Sequence, residues 1–202
     1  MLVALCVCAA IEPLALRTRV VVLSHRREVR KPTNTGRLVP LLLRSGAVQV
    51  WGLPGDRLEA SALVGAERRG LLLYPAGDAV PLSRAEVDAD GGRVTLVVPD
   101  GTWRQARKLH SRAAALAELP RVCLPPGPPS RYRLRKHSDP RFLATFEAVA
   151  RALGILEGAE VQRHLERVFD LVVERTLWSR GLLGGPLRVP GETGAGSPPA
   201  SD

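Results

Sequence analysis

Apolar residues in this chain fall in short unbroken runs, set apart by polar loops and by longer stretches of helical period. Val20-Val21-Val22-Leu23, Leu71-Leu72-Leu73, and Val94-Thr95-Leu96-Val97-Val98 are the clearest runs. Their β-branched content, their shortness and the Gly and Pro residues that follow them predict buried strands. Strands are expected over 19–24 (ending at His25), 48–51, 70–74, 94–98 and 121–124. Between them lie a basic polar loop over 26–37 and a short helix over 38–44 that must accommodate Pro40. A helix over 103–119 is stopped by Pro120. Another over 141–153 has Asp139-Pro140 as its start signal and Gly154 as its stop. A last helix over 160–178 carries Val161, Leu165, Val168, Phe169 and Val172 along one face. Strands that are apolar on both sides and alternate with helices predict an α/β fold, a mostly parallel sheet flanked by helices. Ligands of such sheets sit beyond the carboxyl ends of the strands. That expectation gathers three turns into one neighbourhood: Pro75 to Asp78, Asp100 to Trp103, and the loop after Leu124.

Composition changes this picture at a few points. At 202 residues the chain can bury a full core in one domain. From Gly184 onward, GGPLRVPGETGAGSPPASD is a low-complexity tail expected to be disordered. Lys plus Arg exceed Asp plus Glu by 29 to 20, and the resulting charge of +9 favours a polyanionic partner such as nucleic acid. The competing explanation is coding bias, since Lys occurs only at 31, 108 and 136 and Ala, Gly and Pro are abundant. The three cysteines, Cys6, Cys8 and Cys123, suggest no disulfide framework and hence a reducing, cytoplasmic setting. Cys6-Val7-Cys8 is too close for a relaxed bridge and could supply half of a zinc site. The opening MLVALCVCAAIEPLAL has the apolar look of a signal peptide, but no cation precedes Arg17, so none is expected. No run of about 20 apolar residues is present to span a membrane.

The stretch VPDGTWRQARKLHSR, 98–112, carries the first candidate chemistry. Asp100, Gly101 and Thr102 stand between a strand and a basic helix, where either Asp100 or Thr102 could serve as the helix N-cap. Trp103 is not explained by capping, nor are Arg104, Arg107, Lys108 and Arg112, which share roughly one side of the helix. Such a face is either simply solvated or binds phosphates. A second basic stretch, Tyr132-Arg133-Leu134-Arg135-Lys136, is either an ordinary exposed strand or a grip for a carboxylate or a phosphate. Glu147, further on, is expected to pair with Arg151 and do no more. Walker loops, dinucleotide fingerprints, zincin motifs and nucleophile elbows do not occur. The residues alone therefore reach a basic α/β domain with a pocket near Asp100, and name no reaction.

Taken together, four stretches resemble the DTW-domain family in order. Asp100-Gly101-Thr102-Trp103 resembles its Asp-x-Thr-Trp turn. Ser24-His25-Arg26-Arg27-Glu28 with Asn34-Thr35-Gly36-Arg37-Leu38 resembles its early loop. Leu72-Leu73-Tyr74-Pro75 resembles a second ligand loop, and Tyr132 through Ala148 its Arg-Lys and Thr-x-Glu-Ala segment. The resemblance implies a tRNA-uridine aminocarboxypropyltransferase with a SPOUT-like fold, knotted in its C-terminal half. Such an enzyme moves the 3-amino-3-carboxypropyl group of S-adenosylmethionine to N3 of a uridine. It further implies Asp100 as general base, and a donor site formed by Pro75, Thr102, Trp103, Leu124 and Thr145, with Arg135 or Lys136 gripping the donor carboxylate or tRNA. His25, Arg37, Arg104, Arg107 and Lys108 are then expected to meet tRNA phosphates. The catalytic domain is expected over 18–180, after a Cys-bearing segment over 1–17 and before a tail over 184–202. In the family a Cys-x-x-Cys often precedes the Cys-x-Cys and suggests zinc. Here Cys6 and Cys8 stand without it, and Ala144 stands where Ser is common. A methyltransferase of the same fold class, an rRNA aminocarboxypropyltransferase and a non-catalytic RNA-binding module are the rival expectations.

Overall fold

The computed structural model describes residues 5–53, 55–56, 58–88, 91, 93–112, 114–134 and 142–184, without the side chains at 86, 103, 110–112 and 114. The strands are β1 (Arg19–His25), β2 (Gly46–Trp51), β3 (Arg69–Leu73), β4 (Val80–Pro81), β5 (Val94–Asp100) and β6 (Arg121–Cys123). They form one sheet in the order β2-β1-β5-β3-β6-β4, with every pair parallel. The helices among the described residues are α1 (Val39–Leu42), α2 (Ala60–Val64), α3 (Ala85–Asp88), α4 (Trp103–Arg112), α5 (Ala114–Ala117), α6 (Thr145–Glu157) and α7 (Ala159–Ser179).

The unbroken apolar runs follow from this layering. Alternate side chains of a strand point to opposite faces, and here both faces are covered. Val20 and Val22 of β1 join Leu96 and Val98 of β5 in a core closed by α1, α6 and α7 through Leu42, Phe146, Leu153 and Phe169. Val21, Leu23 and Val97 point the other way, into a core closed by Leu63 of α2, Leu109 of α4 and Leu116 of α5. Fully burying such a side chain contributes about 1.5–3 kcal/mol, so packing on two faces holds the central strands.

The predicted parallel sheet is observed with one further short strand, β4, and two of the expected helices differ in extent. The helix expected over 103–119 is observed over 103–112 (α4) and 114–117 (α5), and Leu119 lies beyond it in a turn, its N–H bonded to the Leu116 carbonyl at 3.4 Å. The helix expected over 141–153 begins at Thr145 and runs through Gly154 to Glu157, ending at Gly158, whose φ of 117° only glycine adopts readily. Gly154 is a packing residue, since a Cβ there would meet Gln162 Cβ of α7 at 2.9 Å. The short α2, α3 and β4 carry too few residues for a periodic signal. A knot is expected in the C-terminal half; residues 135–141 within that half lie outside the described residues, as does the tail from 185. Ile11, Leu14 and Leu16 pack on the core beside α1. No helix among the described residues is long and apolar enough to cross a membrane.

Candidate active site

Parallel register places Ser24 at the end of β1 beside Asp100 at the end of β5. Both are buried, with Asp100 only 7% exposed. The helix that follows does not use Asp100 as its cap. Thr102 Oγ1 accepts the Gln105 N–H at 3.3 Å, and Gln105 Oε1 accepts the Thr102 N–H at 2.6 Å. Thr102-Trp103-Arg104-Gln105 is therefore a capping box closed on itself, which leaves the Asp100 carboxylate for other partners.

Those partners come from three other segments. Asp100 Oδ2 accepts hydrogen bonds from Ser24 Oγ and Asn34 Nδ2, each at 2.6 Å, and Oδ1 accepts one from Thr145 Oγ1 at 2.6 Å. A carboxylate offers about four acceptor sites. Three are filled, and the remaining one is on Oδ1. Asn34 is oriented by its own Oδ1, which accepts the Arg37 N–H at 3.2 Å. The backbone approaches so closely that a Cβ on Gly36 would lie 2.9 Å from Val22 Cγ1 and 3.3 Å from Asp100 Oδ2.

The start of α6 is held with equal care, because Thr145 must face Asp100. Ala144 at its N-cap has no side-chain acceptor. Thr35 Oγ1 takes the Phe146 N–H at 3.2 Å in its place, from the loop after β1. Glu147 is buried and accepts from the Ala144 N–H at 2.8 Å, Ser130 Oγ at 2.6 Å and the Arg131 N–H at 2.7 Å. The expected pairing with Arg151 is thus replaced by a buried clamp between the 130–131 loop and α6. Arg151 donates instead to the Pro129 carbonyl at 3.3 Å.

Beyond the carboxyl ends of β3, β5 and β6 opens a cleft of about 620 Å³, within the range of small-molecule sites. Asp100 lines it together with the predicted Pro75, Thr102, Leu124 and Thr145. Trp103 opens α4, but its side chain is not described, and Arg135 and Lys136 lie outside the described residues. Asn34, Tyr74, Cys123 and Phe142 also line the cleft and carried no predicted role. Ser24, near the end of β1, and Asn34, in the loop after it, belong to the stretch that resembles the family's early loop but carried no expected role. Their distance from Asp100 in sequence, 76 and 66 residues, hides the contact.

A second cleft of about 440 Å³ lies at the ends of β1 and β2 and shares Thr102 with the first. The predicted His25, Arg104 and Lys108 line it, joined by Arg26, Arg27, Trp51 and Gln105. Arg37 and Arg107 line neither cleft, and Arg37 donates to the Pro32 carbonyl at 3.1 Å. Burial, then the charges of Arg27 and Arg26, holds the His25 imidazole below its ordinary titration range.

Cys6 and Cys8 lie together, the Cys8 N–H pointing at Cys6 Sγ at 3.4 Å, and the neighbouring sulfur raises the Cys8 thiol above its usual range. Two sulfurs supply half of a tetrahedral zinc site. Among the described residues no group of three or more His, Cys, Asp or Glu could hold a metal. The side chains described do not fit zinc, and no step is derived through it.

The parallel α/β sheet thus carries a buried, hydrogen-bonded carboxylate at a cleft of small-molecule size, with a basic cleft beside it. The chain belongs to the DTW-domain family, whose model ("DTW domain") matches residues 1–177. It is similar to tRNA-uridine aminocarboxypropyltransferase 2 of Drosophila melanogaster, 34% identical over 161 residues, covering 77% of this chain and 63% of that protein. The protein of the same name from Mus musculus is 29% identical over 168 residues, covering 77% and 53%. The chain thus spans between half and two thirds of the length of these relatives. Among solved structures, the SAM-dependent rRNA:acp-transferase Tsr3 from Vulcanisaeta distributa aligns with a TM-score of 0.44 at 19% identity, covering 81% of this chain and 79% of that one.

Proposed function

We propose that this chain transfers the 3-amino-3-carboxypropyl group of S-adenosylmethionine to N3 of a uridine in tRNA, in the cytoplasm, releasing methylthioadenosine. The observation that carries this reading is the Asp100 carboxylate, buried at the cleft and held by three donors with one acceptor site open on Oδ1. Uridine N3 is a weak acid and a poor nucleophile until its proton is removed, which is the work of a positioned carboxylate. The N3 proton passes to Asp100 Oδ1, N3 bonds to the aminocarboxypropyl carbon, and the carbon–sulfur bond breaks with its electron pair going to sulfur. Because a sulfonium exposes three carbons to attack, the residues around it must select one by orientation. Pro75, Leu124, Thr102 and Thr145, with the turn that begins Trp103, are the groups that would hold the donor there. The cleft fits such a molecule in size, and Leu73 and Leu124 offer apolar wall for a nucleoside. His25, Arg37, Arg104, Arg107 and Lys108 would meet tRNA phosphates, which fix register without reading sequence.

The rival in which Asp100 is only a helix cap loses its footing, since Thr102 and Gln105 cap α4. The test is incubation of the protein with unmodified tRNA and S-adenosylmethionine, followed by mass spectrometry of nucleosides and small molecules. A uridine heavier by one aminocarboxypropyl group, with matching methylthioadenosine, is expected. S-adenosylhomocysteine with a methylated base would replace this reading by methyl transfer.

A further inference from the structure

The basic cleft is more specific than a patch of surface charge. Its walls include Arg26, Arg27, Arg104 and Lys108 and no carboxylate, and Arg26, Arg27 and Arg104 make no ion pair among the described residues. The ten-residue helix α4 turns its positive end toward the same place. At the centre His25 is held in one tautomer. Gln105 Oε1 is committed to the Thr102 N–H, so the Gln105 amide nitrogen faces His25 Nδ1 at 3.0 Å. The Arg27 N–H points at the same Nδ1 at 3.2 Å. A nitrogen that receives two donors carries no proton, so the neutral ring keeps its hydrogen on Nε2. Gly52 follows β2 with φ of 97°, and a Cβ there would stand 3.1 Å from His25 Nε2 and Cδ2. Glycine therefore keeps the space before Nε2 clear. Trp51 meets the His25 ring edge-on at 4.9 Å, and its buried indole N–H has no partner among the described residues.

We propose that this second cleft is the seat of one phosphodiester group of the acceptor RNA, next to the reacting uridine. The arginines and Lys108 supply charge, and His25 supplies a fixed Nε2–H donor. Arginine forks match the tetrahedral oxyanion, and a neutral donor of fixed direction adds register to their attraction. Thr102 is part of the wall of both clefts, so the seated phosphate and the base at Asp100 are neighbours along the strand. The inference rests on the reading of RNA as acceptor, but not on which group is transferred.

The test measures affinity, without the donor, for a short single-stranded RNA carrying one central uridine. Each phosphodiester in turn is replaced by a neutral methylphosphonate. One linkage beside the uridine is expected to cost roughly tenfold in affinity when neutralised, and the others little. In Arg104→Gln, and separately in His25→Phe, the same neutralisation should cost less than about threefold, because the partner is already gone. Thermal melts identify a variant that has not folded, in which case the other carries the comparison. Equal losses at every linkage, fully additive losses in both variants, or no binding of the RNA overturns the seat. Coupling without aminocarboxypropyl product overturns the transfer reading and leaves the seat standing. Product without coupling does the reverse.

Discussion

The two clefts share Thr102 and little else. Around Asp100 the charge is sunk among partners supplied by β1, the loop after it and α6, and the walls are largely apolar. Around His25 the charges stand on exposed arginines and a lysine, and the contacts to Nδ1 from Gln105 and Arg27 fix a neutral ring. A buried carboxylate with three acceptor sites filled and one open has a defined position and few ways to move, which suits a proton transfer that depends on geometry. Exposed cations around a fixed donor tolerate motion and suit the capture of a flexible anionic strand. The difference predicts that damage to the first cleft lowers turnover, and damage to the second lowers affinity.

The largest effect is expected from Asp100→Asn, which keeps the shape and removes the base. Transfer should fall by about 10²–10⁴-fold in a single-turnover mass-spectrometric assay, with RNA affinity retained. Turnover at the parental rate would move the base elsewhere. Thr145→Val deletes one donor to the same carboxylate without changing volume much. A hydrogen bond to a charged group contributes about 1.5–3 kcal/mol, so a loss of roughly tenfold or more in turnover is expected, again with unchanged RNA affinity. Rescue by Thr145→Ser would separate positioning from packing.

In the basic cleft the signature is salt. Arg104→Gln should weaken RNA binding and reduce the slope of log affinity against log salt by about 0.7–0.9, as one phosphate contact is lost. Turnover at saturating RNA should change far less than in the Asp100 variant. Arg107→Gln, outside both clefts, should weaken affinity less than Arg104→Gln does, because a phosphate contact on open, salt-screened surface contributes less than one in a cleft. An effect as large as that of Arg104 would extend the RNA path along the exposed face of α4. The smallest expected effect is on stability. The folded state holds His25 below its ordinary value of 6.5, so the unfolded chain takes up that proton first. The contribution is fully present above pH 6.5 and is lost as pH falls below it, and His25→Gln should flatten melting temperature across that window.

Much of the fold was legible because each layer leaves a mark on the chain. Two-sided burial makes Val20 to Leu23 apolar throughout and Val94 to Val98 apolar but for Thr95, and the parallel sheet follows. Element ends were less legible where a distant residue sets them. Nothing near Ala144 announces that Thr35 will accept the Phe146 N–H and start α6 there. Likewise Gly154 reads as a helix stop until Gln162 of α7 is packed against it. In the site, Asp100, Thr102, Pro75, Leu124 and Thr145 could be named from motifs on turns. Whether Asp100 or Thr102 capped α4 could not be decided locally, because both residue types suit the position.

By itself the sequence determined the layering, the place of the turns at the strand ends and the sign of the charge, since these follow from local composition and period, while Asp100 as candidate base came from the resemblance of its turn to the DTW family. Only tertiary structure decided that Asp100 is held by Ser24, Asn34 and Thr145, that Glu147 clamps a loop and that the basic residues divide between a cleft and open surface. Those outcomes depend on parallel register and on segments tens of residues apart, which meet only when the sheet has formed.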